Sequence, residues 1–360
     1  MPYKTARTPA HWSAEELTRD QSWIYRIDAD QAAHLRRGVQ EAYDPARQIF
    51  DYGKDDFDLG SARDVFAAAF AEQAQGRGVS LVKGLPREGM SEAEFELMTW
   101  GIGLHFGVAR PQGKASQYIS AVRDAGQTYR HGGGRGYNTK ASLDFHIDGS
   151  DVVALTCYNA AKSGGMSMCS SSMTLHDRMA AERPDLLELL YQPYAYSRQG
   201  EQAPDEAPYL LCPLFGMRDG RLFGRLNRNR VNMAQRLDGV APLSEQQWEA
   251  LDLVEEIIRR PDVMFSMWLE PGDMQLINNH VVLHSRTEFE DHEEPERKRL
   301  LFRLWLSTPD SVALPPEWAE CYKSVEPASV RGGIRGFGWN EACRAFERRQ
   351  AAALGMHVAH

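Results

Sequence analysis

The 360-residue chain has no CxxC pair, no apolar run long enough to span a bilayer, no basic excess and no internal repeat. Each absence excludes something. Its five cysteines, Cys157, Cys169, Cys212, Cys321 and Cys343, are odd in number and widely spaced, which argues against a disulfide framework or a zinc ribbon. Reduced thiols in a cytoplasmic protein are expected instead. No stretch approaches the ~18 apolar residues that a membrane helix needs, and no apolar segment follows the basic residues of the opening MPYKTARTPAHW, so neither a membrane anchor nor a signal peptide is expected. The net charge of −9 excludes a general nucleic-acid binder, which would present a basic field. What remains is the composition of an ordinary globular protein, 42% hydrophobic and 25% charged. Without a linker poor in apolar residues, a single domain is expected: a helical region over 1–75, a β core with a helical insertion over 76–310, and an extension over 311–360.

Local signals outline that plan. Capping boxes at Ser13–Glu16, Ser91–Glu94 and Ser244–Gln247 predict helix starts, and the apolar spacing over Asp28–Tyr43 predicts another helix. Leu175–Tyr191 reads as a helix that breaks or restarts at Pro184. Strands are expected over Gly76–Pro86, Gln117–Val122, Val152–Tyr158, Met166–Ser172, Val263–Leu269, Met274–Asn278 and Leu300–Leu306, and a tail helix over Glu341–Ala353. The stretch HGGGRGYNTK, His131–Lys140, is a loop, read either as a connector or as a lid over a site whose entrance Tyr137 and Asn138 would line.

Chemistry concentrates in LDFHIDGSD, Leu143–Asp151. If the segment alternates as a strand, Leu143, Phe145 and Ile147 face one side and Asp144, His146 and Asp148 the other. His146 and Asp148 then project in parallel, with Cα atoms ~6.5 Å apart, close enough to share one ion. A third ligand must come from elsewhere: His284, near the end of a strand in NNHVVLHSRTEF, with His280 as its rival. Two histidines and one carboxylate with open positions suit Fe(II). By the same alternation, Arg299, Leu301, Arg303 and Trp305 share a face in RLLFRLWL, and arginines inside a core require anionic partners. Arg303 could serve an acidic substrate group or a structural carboxylate such as Glu290. The run from Arg225 to Arg230 reads either as a solvated strand edge or oligomer contact, or as a surface for an anionic substrate.

Taken in order, these residues resemble the TauD/TfdA-like (taurine dioxygenase, clavaminate synthase-like) Fe(II)/2-oxoglutarate-dependent dioxygenases. His146-Ile147-Asp148 is similar to the family's HxD pair, and Gly164-Gly165-Met166-Ser167 to its glycine-led return strand. Pro271-Gly272-Asp273, Asn278-Asn279 and Leu283-His284-Ser285-Arg286 are similar to its distal histidine segment, and Arg299 falls where it places an arginine for 2-oxoglutarate. The resemblance implies a double-stranded β-helix (jelly-roll) core surrounded by helices. It implies Fe(II) on His146, Asp148 and His284, the 2-oxoglutarate carboxylate on Arg299 and the Ser167 hydroxyl, and Arg303 near the anionic end of cosubstrate or substrate. It further implies that O2 is consumed, that 2-oxoglutarate yields succinate and CO2, and that a small organic substrate is oxidised. The retained carboxylate of Asp148 favours hydroxylation over halogenation. Tyr137, Asn138 and Arg225 are the remaining substrate-side candidates. Two other readings use the same residues: a zinc hydrolase, which would not need Arg299, and a non-catalytic jelly-roll binding or sensor protein.

Overall fold

The structure, a computed structural model, describes residues 7–126 and 136–358. Two sheets build the core. The larger, seven-stranded sheet runs in the order Ile24–Arg26, Val79–Lys83, Met274–Asn278, Val152–Asn159, Leu300–Ser307, Val108–Ala109, with Ile119–Val122 also paired to Leu300–Ser307. The smaller sheet sets Ser167–Ser171 between Met264–Met267 and Val282–Arg286, antiparallel to both. Side chains of both sheets meet in one apolar cluster, among them Leu81, Val153, Ile277, Leu301 and Trp305 from the larger and Cys169 and Val282 from the smaller. This is the expected jelly-roll arrangement of facing sheets, though hydrogen bonds among the described residues do not close it into a barrel.

The strand Leu300–Ser307 shows how sequence period becomes placement. Leu300, Phe302, Leu304 and Leu306 point to the outer face, into a cluster with Phe66, Phe95, Met98 and Trp100 of the helices Ala62–Gln75 and Glu92–Phe106. Burying each such side chain contributes roughly 1.5–3 kcal/mol. Leu301, Arg303 and Trp305 are thereby turned inward. The three expected capping boxes are present, each serine accepting from the third backbone N–H of its helix. Pro184 does restart a helix: Ser172–Glu182 ends and Pro184–Leu189 begins with it. These helices and Glu245–Ile257 form the insertion, packed on Phe145 and Ile147. No helix among the described residues is long and apolar enough to cross a membrane.

Three expectations need correction. The first 75 residues are not purely helical, because Ile24–Arg26 adds a parallel edge strand beside Val79–Lys83. The run at 225–230 is not a strand edge: the Asn227 side chain accepts from Arg230 N and caps the helix Arg228–Ala234. His284 lies in the middle of a strand, Val282–Arg286, rather than near its end.

Candidate metal and cosubstrate site

The segment around His146 is extended but is held by single bridges rather than by a strand ladder. His146 and His284 exchange backbone hydrogen bonds of 2.9 Å, and Ile147 N donates to Leu226 O at 2.9 Å. Side-chain alternation holds for Phe145, His146, Ile147 and Asp148 and fails before them. Leu143 turns into the cavities beside His146, while Asp144 faces outward beside Arg228, Asn232 and Glu255. The bend has a use: Asp144 O lies 2.8 Å from His146 Nδ1. A proton on Nδ1 satisfies that contact and leaves Nε2 as the free lone pair.

His146, Asp148 and His284 converge, with one candidate ligand atom from each lying within 4.8 Å of the others. The imidazole centroids are 4.5 Å apart, and His284 Nε2 is 3.7 Å from Asp148 Oδ2. Asp148 is pinned on both sides. Its backbone N donates to Asn279 Oδ1 at 2.9 Å, Trp305 Nε1 donates to Oδ2 at 2.9 Å, and Arg303 Nη1 stands 3.5 Å from Oδ1. Burial pushes the Asp148 carboxyl up, but Arg303 and then the two imidazoles outweigh it and bring it below its ordinary value. Burial lowers His146, and burial followed by the neighbouring His146 takes His284 to about 3. At neutral pH the cluster therefore holds two neutral imidazoles and one carboxylate, the protonation state a divalent cation requires.

His284 supplies a test of fit. Among the described residues neither of its ring nitrogens makes a hydrogen bond, and its buried Nδ1 has no partner. An imidazole whose Nε2 lies 3.7 Å from the Asp148 carboxylate without a hydrogen bond is reasonable as a ligand through that nitrogen, with Nδ1 left unpaired. His280, the rival, is otherwise engaged. Its Nε2 lies 2.9 Å from Asp151 Oδ1, which also accepts from Arg331 Nε at 2.7 Å.

Two cavities meet at this cluster. The inner one, about 60 Å³, is lined by His146, Asp148 and His284 and by Ser167, Arg299, Leu155 and Leu301. Arg299 reaches it past Gly165, where a Cβ would sit 3.2 Å from its Nε, and lies over the Phe289 ring at 5.0 Å. Its Nη1 is buried without a partner, and the nearby Asp291 is spent on the backbone N of Arg299 at 2.8 Å. Burial lowers its guanidinium to about 10, against weaker support from Cys157 and Asp291. Ser167 Oγ, on the same wall, donates to Gln275 Oε1 at 2.8 Å.

The outer cavity, about 150 Å³, shares Leu143, His146, Asp148 and Arg303 with the inner one and adds Arg225, Asn227, Arg230 and Gly333. Arg303 thus belongs to the partition. It is held by Gln112 Oε1 at 2.9 Å and faces Asp148, whereas Glu290, its expected structural partner, lies apart, 3.3 Å from the Ser163 hydroxyl. Asn138 lines neither cavity, and its carbonyl accepts from Ala125 N. The Tyr137 side chain and residues 131–135 of the glycine loop lie outside the described residues. Trp305, Asn279 and Gln112 were not singled out from the sequence as site residues. The inward face shared with Arg303 was the available signal for Trp305, and the Asn278-Asn279 pair of the family-like segment was the signal for Asn279.

Comparison with known proteins gives a consistent result. The family model described as taurine catabolism dioxygenase TauD, TfdA family matches residues 41–305. FR-33289 synthase of Streptomyces rubellomurinus is 31% identical over 312 residues, covering 84% of this chain and 91% of that protein. Among solved structures, asparagine oxygenase in complex with Fe(II), 2S,3S-3-hydroxyasparagine and succinate superposes with a TM-score of 0.59 at 18% identity, covering 79% of this chain and 94% of the other. The non-heme iron oxygenase OrfP in complex with Fe and alpha-ketoglutaric acid superposes with a TM-score of 0.55 at 15% identity over the same shares.

Proposed function

Because the chain belongs to the taurine catabolism dioxygenase TauD, TfdA family, we propose that His146, Asp148 and His284 are its iron ligands and that Arg299 holds its 2-oxoglutarate. The protein is a non-haem Fe(II)/2-oxoglutarate-dependent dioxygenase that oxidises a small organic molecule. With iron and 2-oxoglutarate bound, O2 oxidises the 2-oxoacid to succinate and CO2 and supplies one oxygen atom to a C–H bond of the substrate, which leaves as the alcohol.

The chain's own residues supply positioning and protonation state. A proton on His146 Nδ1 satisfies the contact with Asp144 O, so Nε2 would be the nitrogen that holds the metal. Asp148 stays ionised beside Arg303, and Trp305 fixes the direction of its carboxylate. One observation carries the cosubstrate assignment: Arg299 is a buried guanidinium that lines the same cavity as the ligand cluster, with a buried nitrogen left unbonded. Such a group is stable only with an anion, and its planar fork matches a carboxylate. Ser167 lies on the same wall and can offer its hydroxyl to that carboxylate by turning from Gln275. The apolar Leu155 and Leu301 line the same cavity and would shield a bound diacid from water.

The test is Fe(II)-dependent release of succinate from 2-oxoglutarate. Wild-type protein is expected to turn over, and Asp148→Ala to lose turnover while still binding 2-oxoglutarate measurably through Arg299. Hydrolytic activity with zinc and no succinate would contradict the assignment.

A further inference from the structure

The family match ends at residue 305, yet the chain beyond it comes back to the ligand cluster: Gly333 and Ile334 line the outer cavity with His146 and Asp148. The turn from Asp148 to the strand Val152–Asn159 runs through Gly149 and Ser150 and is gripped from two sides. On one side stands Asn279, whose Oδ1 accepts from Asp148 N at 2.9 Å and whose N donates to Asp151 O at 3.0 Å. On the other stands Arg331-Gly332-Gly333. Gly333 N donates to Gly149 O at 2.7 Å, and Gly332, at φ +66°, lies so close that a Cβ would come within 2.3 Å of the same oxygen. Arg331 Nε donates to Asp151 Oδ1 at 2.7 Å, while its Nη1 donates to Val312 O at 2.9 Å and to Glu326 O at 3.1 Å. Both side chains of this ion pair are buried. The next residue extends the grip, Ile334 N donating to Pro111 O at 2.7 Å beside Gln112, which holds Arg303 against Asp148.

A buried ion pair is a weak source of stability, because lost hydration offsets most of the attraction. Its use here is direction. A guanidinium fork binds in a set plane, and Arg331 thereby ties Asp151 to two carbonyls of the C-terminal extension. A turn through glycine has little stiffness of its own, and the segment before it is held by single bridges at His146 rather than by a strand ladder. The aim of the Asp148 carboxylate therefore depends on bonds from outside the turn. We propose that Arg331 is a positioning residue for Asp148, acting through Asp151 and the turn between them, so that the extension completes the metal site. The inference rests on the reading of Asp148 as an iron ligand. His280 shares Asp151 Oδ1 with Arg331, so Asp151 keeps its charged partner when His280 is replaced.

The experiment compares Arg331→Met, Arg331→Lys and Gln350→Leu with wild type, each as the whole chain. Gln350 belongs to the same extension but donates to Leu104 O at 2.5 Å, so its loss loosens the helix Glu341–Leu354 without touching the turn. Anaerobic Fe(II) titration gives metal affinity, and the visible absorption of Co(II)-loaded protein reports ligand geometry. Binding of 2-oxoglutarate without metal reports the fold around Arg299. Arg331→Met should weaken Fe(II) by about tenfold and change the Co(II) absorption, with 2-oxoglutarate affinity unchanged. Arg331→Lys keeps the charge but not the fork, and should weaken Fe(II) by a smaller, measurable factor. Gln350→Leu should lower the melting temperature and leave Fe(II) affinity and Co(II) absorption at wild type. The inference is overturned if folded Arg331→Met binds Fe(II) as tightly as wild type, or if Gln350→Leu loses as much affinity, since the effect would then be one of general stability. Should Arg331→Met not fold, wild-type affinity and absorption in Arg331→Lys overturn it. Failure of wild-type protein to bind Fe(II) would instead remove the ligand assignment on which the inference rests.

Discussion

Arg299 and Arg303 stand four positions apart on one inward face, and their surroundings divide their work. Arg299 lines the inner cavity and keeps a buried nitrogen without a partner, while Arg303 is bound to Gln112 and leans on Asp148. A charge-assisted hydrogen bond contributes roughly 1.5–3 kcal/mol, so Arg299→Leu should raise the KM for 2-oxoglutarate by about 10- to 100-fold. The metal affinity of that variant should stay near wild type, and steady-state kinetics with iron titration checks both. Trp305 acts through Asp148. Partners that orient a ligand typically account for about 10- to 100-fold in metal affinity, so Trp305→Phe should weaken Fe(II) binding while leaving 2-oxoglutarate affinity in the metal-free protein unchanged. Equal loss of both would mean a packing defect. The approach of His146 to Asp148 and the inward face of Arg299 were legible in the sequence because a two-residue spacing and a period of two are local facts, whereas the role of Arg299 came from the family resemblance. Trp305 and Asn279 were not, because their bonds to Asp148 join positions 157 and 131 residues apart, and only the sheet order brings them together.

At the scale of elements, the glycines of the return strand set the geometry around Arg299. Gly164 has φ +68° and sits where a Cβ would come within 2.2 Å of Glu288 O, across the short pairing of Ser163–Gly164 with Phe289–Glu290. Gly164→Ala should therefore strain that pairing, lower the melting temperature and weaken 2-oxoglutarate binding, because Phe289 underlies the Arg299 guanidinium. A variant with wild-type melting temperature and affinity would show that the turn tolerates a side chain. The longer elements were readable from caps and periodicity. The errors fell on short ones: Ile24–Arg26 has three residues and no period to detect, and its place depends on a non-local parallel partner. At 225–230 the decisive feature was one side chain, Asn227 capping the helix that begins at Arg228, in a run whose charges suggested an exposed edge.

Across the whole molecule, burial has a consequence for pH. His105, His176 and His280, all away from the ligand cluster, are each lowered from the ordinary 6.5 chiefly by burial. In the unfolded chain these imidazoles take up protons as pH falls below that value, and in the folded chain they resist. Stability should accordingly fall as pH drops from about 7.5 to about 6, by at most ~1.4 kcal/mol per pH unit for each imidazole that titrates only when unfolded. His280→Gln removes one such group, so thermal melts of the metal-free variant should depend less steeply on pH than those of the parent, and identical slopes would contradict the assignment. The chain's topology was legible only through family resemblance. Strand order is set by which buried faces meet, and the strand Leu300–Ser307 pairs with Val152–Asn159 from the other half of the core. The account depends most on the ligand set, and anaerobic Fe(II) titration of wild type, His284→Ala and His280→Ala tests it most directly. The predicted result is about one Fe(II) per chain in wild type and in His280→Ala, with binding lost in His284→Ala although that protein remains folded. Iron bound as tightly by His284→Ala as by wild type, or lost instead from a folded His280→Ala, would contradict it.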